Sequence, residues 1–241
     1  MKKELELENI RSNLIRQEET IIFALIERAQ FKINEVIYKK GGISIPDFNE
    51  SFLLFLLSQM ESVYAKVRRY TAPDEHPFTK DLPDPYIETT PYVWPIKKRD
   101  ININDKIMNL YIGKILPMIC EGGDCGNYGS SAVCDINILQ ALSKRIHYGK
   151  FVAESKFLKE AIIYTKLIKE RNIDKIVELL TDKEVEKRIL KRVNIKSQTY
   201  GQDPFGVQKN YKIDPETIEN IYKDYIIPLT KEVEVMYLLE R

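Results

Sequence analysis

Cysteine, histidine and tryptophan are scarce: the 241 residues hold three, two and one of them. Three cysteines, Cys120, Cys125 and Cys134, cannot form a fully paired disulfide framework, so free thiols are expected. With only His76 and His147 to add, no spacing matches a metal motif, and no metal site is expected. Net charge is nearly lacking as well. Thirty-seven basic residues against 36 acidic ones leave +1, and no global field draws the chain to nucleic acid or an acidic membrane. The apolar stretch Ser51 to Leu57 is far short of the ~20 residues that span a bilayer. The opening MKKELELENIRSNLIRQEE lacks both the apolar core of a secretory signal and the acid-poor look of a transit peptide. A soluble, cytosolic protein is expected. Strand-type alternation is nearly absent, and neither internal repeats nor low-complexity tracts occur.

What the chain does have is helical periodicity and enough apolar residues, 44%, to bury a substantial core. The expected fold is all-α: a single-domain bundle of long helices over residues 1–241, with a Pro-rich wrapping loop. Leu7, Ile10, Leu14, Ile21 and Leu25 form one stripe of a first helix, which Gly41-Gly42 and Pro46 should end. A second helix is read from Ser51 to Arg69. Six prolines (Pro73, Pro77, Pro83, Pro85, Pro91, Pro95) exclude regular helix between Thr71 and Asp100. Trp94, Tyr86 and Tyr92 are the anchors that favour a packed loop over a flexible linker. Helix resumes from about Asn104 to Ile119, breaks at Glu121–Asp124, and runs from about Ser130 through Lys169. Thr181 and Glu184 read as a capping box, Asp214-Pro215-Glu216 as a helix start, and Pro228 as a kink.

Charges recur on the apolar faces. Each helical residue advances by roughly 100°, which puts Ile138, Leu142, Gly149, Val152 and Ile163 in one sector together with Arg145 and Lys156. An unpaired cation there is very costly. The same arithmetic sets Arg11 beside Leu7, Leu14 and Leu25. It sets Asp182 and Glu186 beside Val185 and Ile189, and Thr230 and Glu234 beside Ile226, Val233 and Tyr237. Four helices thus turn polar groups inward. The pattern fits a buried anion site, but it equally fits ion pairs joining helices, with Arg145 or Lys156 meeting Glu186 or Glu234. Cations reaching water along their stems are a third reading.

The segment Ser143 to Phe157, SKRIHYGKFVAESKF, resembles the core helix of the fungal and plant type of chorismate mutase. Leu7 to Arg11 (LENIR), Arg68 to Phe78 (RRYTAPDEHPF) and Pro228 to Leu239 (PLTKEVEVMYLL) resemble the same family in the same order, so the likeness covers nearly the whole chain. It implies an enzyme that rearranges chorismate to prephenate in phenylalanine and tyrosine biosynthesis, without cofactor or metal. Carried over residue by residue, it implies a pocket of Arg11, Arg145, Lys156, Glu186, Thr230 and Glu234, with Asp182 where fungal members carry Asn and short bacterial relatives Asp. Arg11 and Arg145 would grip the dianion. Lys156 and a protonated Glu234 would donate to the ether oxygen of the breaking bond, Glu186 would accept from the substrate hydroxyl, and Thr230 would bond a carboxylate. The resemblance further implies a homodimer with a tyrosine or tryptophan effector site at its interface, built from Arg68, Arg69, Gly129 and Ser130. Val133 departs there from the fungal Thr. Read without the family, Arg68-Arg69 is a solvated helix end. The competing functions are an inactive relative retained as an aromatic amino acid sensor, and a helical interaction module.

Overall fold

Eleven α-helices make up the computed structural model, which describes residues 3–90, 92–202 and 211–241; Pro91 lies outside the described residues. They are α1 (Leu7–Arg28), α2 (Phe52–Lys66), α3 (Asn104–Leu110), α4 (Leu116–Ile119), α5 (Tyr128–His147), α6 (Gly149–Lys159), α7 (Ala161–Lys169), α8 (Ile173–Leu180), α9 (Lys183–Tyr200), α10 (Pro215–Ile221) and α11 (Ile227–Leu239). Among the described residues no strand occurs; Ile45 and Phe48 form one isolated bridge. The fold is all-α. Helix α1 packs along α5 and α9, and α11 packs against α5 and α6. Their apolar faces join one hydrophobic cluster, in which Ile10, Ile22, Leu25, Ile136, Leu139, Leu142, Val233 and Leu238 have almost no exposure.

Helix α1 ends at Arg28, well before Gly41-Gly42. The cause is Arg28 itself, which turns inward with its Nε 2.6 Å from Asp135 Oδ1. Its guanidinium also donates to the carbonyls of Phe31, Lys32 and Ile33 at 3.0–3.1 Å. Carbonyls leaving a helix end need such partners. Further on, Ser51 caps α2 by accepting from Leu54 N.

Residues 72–100 contain no helix among those described. Contacts to the helices hold the segment. Buried Glu61 accepts from the backbone N–H of Phe78 and Thr79, and Lys150 donates to the carbonyls of Pro73 and Ile101. Tyr86 N donates to Lys66 O, and Trp94 meets Phe151 edge-on. Of the three aromatic anchors expected, Trp94 is packed on the core and Tyr92 on Trp94. The Tyr86 ring is 87% exposed and anchors nothing.

The run expected from Ser130 through Lys169 is three helices, interrupted by a tight turn at Tyr148, which keeps helical dihedrals, and by Glu160, which leaves helical geometry at φ -130°. Ile163, beyond the second break, is therefore half-exposed, whereas Ile138, Leu142, Gly149 and Val152 face the core. The last helix does deform near Pro228, through a wide π turn at Tyr222–Ile226. Another π turn, Tyr111–Ile115, precedes Pro117. Proline has no N–H to donate and its ring crowds the carbonyl four residues back, which here is Asp224 or Gly113, so a wider turn relieves both problems.

Candidate active site

Helix α6 begins with Gly149, and this residue sets the distance to α11. A Cβ at 149 would stand 2.8 Å from Thr230 O and 3.3 Å from Glu234 Cγ. Without that side chain α11 lies close, and Thr230 and Glu234 are laid over the junction of α5 and α6. Arg145, from the last turn of α5, then reaches Thr230 and donates from Nη1 to its Oγ1 at 3.2 Å. The Thr230 hydroxyl itself donates to Ile226 O at 2.7 Å.

These residues border a cavity of about 180 Å³. All seven expected pocket residues line it: Arg11 from α1, Arg145 from α5, Lys156 from α6, Asp182 and Glu186 from the start of α9, and Thr230 and Glu234 from α11. Leu7, Ile10, Leu14, Val152, Val185, Ile189 and Ile227 supply an apolar wall. Four cations and three carboxylates thus meet in a small, mostly apolar space, since Lys231 also lines it. Lys231 was not anticipated, because its helical position falls between the stripe residues; its Nζ lies 2.6 Å from Glu186 Oε1.

The floor and the rim differ in burial. Arg145 and Glu234 are 3% and 5% exposed. Arg145 Nε and Glu234 Oε2 have no hydrogen-bond partner among the described residues. Burial pushes the Glu234 carboxyl above its ordinary range against the opposing pull of Lys156 and Arg145, and burial lowers the Arg145 guanidinium. Lys156 Nζ sits 3.7 Å from Glu234 Oε2 and donates to Leu180 O, a carbonyl at the negative end of α8. The alternative of structural ion pairs therefore describes Lys156–Glu234 and Lys231–Glu186 in part, while leaving buried donors and acceptors aimed at the cavity.

Two expected positions are exposed, while Lys156 and Glu186 are half-buried. Arg11 is exposed at the rim, since α1 presents its outer edge there. Asp182 is exposed because it is the cap of α9, accepting from Glu184 N and Val185 N at 3.1 and 3.0 Å. The cap is thus Asp182 and not Thr181, whose hydroxyl instead donates back to Val177 O. Among the described residues, no group of three or more His, Cys, Asp or Glu side chains could hold a metal.

The sequence profile of Chorismate mutase type II matches residues 127–235, the stretch that carries six of the seven expected pocket residues. A chorismate mutase of Schizosaccharomyces pombe is 48% identical over 244 residues, spanning 99% of this chain and 97% of that one. The chain belongs to the chorismate mutase family. Among solved structures, the Candida albicans chorismate mutase in complex with L-Trp matches with a TM-score of 0.94 at 43% identity, covering 98% of this chain and 92% of that one. A chorismate mutase with tyrosine bound in its allosteric site matches at 0.91 and 46%, covering 100% and 98%.

The four effector residues expected from family likeness line no part of the cavity. Arg68 and Arg69 follow the end of α2, where Arg68 adopts φ +65° and donates to Ile87 O at 3.2 Å. Arg69 is more than a solvated helix end: it binds Glu75 and lies 4.6 Å over the Tyr64 ring. Gly129 and Ser130 are exposed in the first turn of α5, with open space above Gly129.

Proposed function

We propose that this chain is a chorismate mutase in activity as well as in family, rearranging chorismate to prephenate. The observation that carries the proposal is that buried Glu234 Oε2 and Arg145 Nε, neither with a hydrogen-bond partner among the described residues, belong to residues lining a cavity that Lys156 and Arg11 also line. A dianionic substrate meets cations there, and apolar walls favour a compact conformer.

The reaction is an intramolecular [3,3] shift: the ether carbon–oxygen bond breaks, a carbon–carbon bond forms, and no proton or electron enters from outside. Catalysis is then positioning plus stabilisation of the negative charge that grows on the ether oxygen. In this reading Arg11 and Arg145 hold the carboxylates, with Thr230 orienting Arg145 and bonding a carboxylate. Lys156 and a protonated Glu234 donate to the ether oxygen. Glu186, held by Lys231, accepts from the substrate hydroxyl. Asp182, which lines the cavity, contributes by ordering the first turn of α9.

We read residues 1–241 as one domain, supported by the single hydrophobic cluster shared by α1 through α11. An aromatic amino acid effector at Arg68, Arg69, Gly129 and Ser130 of a homodimer fits the relatives that bind tryptophan or tyrosine. No helix among the described residues is long and apolar enough to cross a membrane, and three free cysteines fit a reducing cytoplasmic compartment. The decisive experiment incubates purified protein with chorismate and follows its loss together with prephenate formation. Chorismate persisting at the uncatalysed rate would reject the proposal.

A further inference from the structure

A second cavity, about 480 Å³ in volume, lies where the start of α1, the 72–95 segment and the α5–α6 junction meet. It is larger than the candidate active site and shares no residue with it. One wall is aromatic: Tyr148 and Phe151 stack at 4.8 Å, and Trp94 stands edge-on to Phe151. Six charged side chains complete the lining, Lys3, Glu4, Arg16, Asp74, Glu75 and Lys144, and of these Asp74 and Arg16 form no ion pair with each other. Asp74 is 5% exposed and forms no ion pair within 4 Å among the described residues, although Lys144 and Lys150 attract it from farther off. Its neighbour Glu75, by contrast, takes up both Lys144 and Arg69. Arg16, exposed at the cavity edge, bonds Asn13 but has no carboxylate partner among the described residues.

A buried carboxylate without a cation in direct contact is costly, and a ligand ammonium would offset that cost. A guanidinium fork free of acidic partners suits a ligand carboxylate, and an aromatic wall suits a ring. The volume falls within the range of small-molecule sites. We propose that this cavity is a second ligand site that takes the zwitterion of an aromatic amino acid, with the ammonium at Asp74, the carboxylate at Arg16 and the ring among Trp94, Tyr148 and Phe151. It is distinct from the effector site proposed at Arg68, Arg69, Gly129 and Ser130, none of which lines it.

Trp94 is the chain's only tryptophan, so its emission reports on this cavity directly. Titrating the whole protein with L-phenylalanine, which does not absorb where tryptophan is selectively excited, should give a saturable change in emission. The change should persist in Arg68→Ala. Apparent affinity should fall at least tenfold in Asp74→Asn and in Arg16→Gln, and phenylethylamine and 3-phenylpropionate should each bind more weakly than phenylalanine. Prephenate formation without added amino acid is measured alongside, so failure of this site and failure of the catalytic reading remain separable. If Asp74→Asn does not fold by circular dichroism, the exposed Arg16→Gln carries the test. No change in wild-type emission would overturn the proposal. So would unaltered affinity in Arg16→Gln, or a signal abolished by Arg68→Ala alone.

Discussion

Glu234 and Lys156 face each other across 3.7 Å, yet the carboxylate oxygen nearest the ammonium has no hydrogen bond of its own among the described residues. The Glu234 side chain is 6% exposed and that of Lys156 25%. Burial therefore outweighs the ammonium's attraction, and the carboxyl is held above its ordinary range. A donor to the ether oxygen must be the protonated form, so activity should decline as pH rises through the raised value. Glu234→Gln, a permanent donor, should flatten that limb. Because folding favours the protonated acid, Glu234's contribution to stability also falls as pH climbs from the ordinary carboxylate range to the raised one. A kcat/KM profile level from mildly acidic to basic pH in the wild type would remove Glu234 from this role.

Arg145 is the most deeply placed cation of the cavity and its Nε has no protein partner among the described residues. Arg145→Ala should lower kcat/KM by about 100-fold or more, corresponding to ~3 kcal/mol of lost transition-state stabilisation. Arg145→Lys should not restore it, since one ammonium cannot present two parallel donors while keeping Thr230 oriented. Steady-state kinetics on variants shown to be folded check both outcomes.

Helical arithmetic pointed to the floor of this cavity because Arg145, Thr230 and Glu234 sit on stripes whose apolar members, Ile163 apart, are buried. It misjudged the rim for the same reason. A stripe gives the direction of a side chain relative to its helix axis, not the helix's depth, so exposed Arg11 and buried Arg145 look alike. The end of α1 was illegible locally, because Arg28 is fixed by Asp135, 107 residues away in sequence. The junctions at Tyr148 and Glu160 carry no Pro, and nothing nearby announces them. Only the family likeness named a substrate for the pocket.

Gly149 predicts a packing effect that reaches the chemistry. Gly149→Ala places a methyl group 2.8 Å from a backbone oxygen of α11, which side-chain rotation cannot relieve. Overpacking of this kind costs about 1–3 kcal/mol, although the same change inside an exposed helix gains ~1 kcal/mol. Denaturant unfolding should show the loss, and kcat should fall with it as Thr230 and Glu234 move outward. Unchanged stability would mean that α6 and α11 separate freely.

Asp182 acts through the backbone of α9 in this geometry. Asp182→Asn keeps a side-chain acceptor and should leave stability and activity close to wild type. Asp182→Ala removes the cap at a cost of about 1 kcal/mol and should raise KM as the first turn frays. A large activity loss in Asp182→Asn would show instead that the carboxylate itself meets the substrate.

Lys231 is the cavity residue whose part is least evident from its position, and a double-mutant cycle isolates it. Its partner Glu186 is only 27% exposed, and a carboxylate that must accept from a substrate hydroxyl needs to be aimed. Lys231 fixes its direction from 2.6 Å. Lys231→Met should therefore reduce kcat/KM by about tenfold, ~1.4 kcal/mol, and Glu186→Gln by at least as much. If Lys231 works through Glu186, the combined variant loses no more than Glu186→Gln alone, since coupled residues are not additive. Additive losses would mean that Lys231 contacts the dianion directly as a further cation of the cavity, and the assignment of Glu186 would then rest on its own variant.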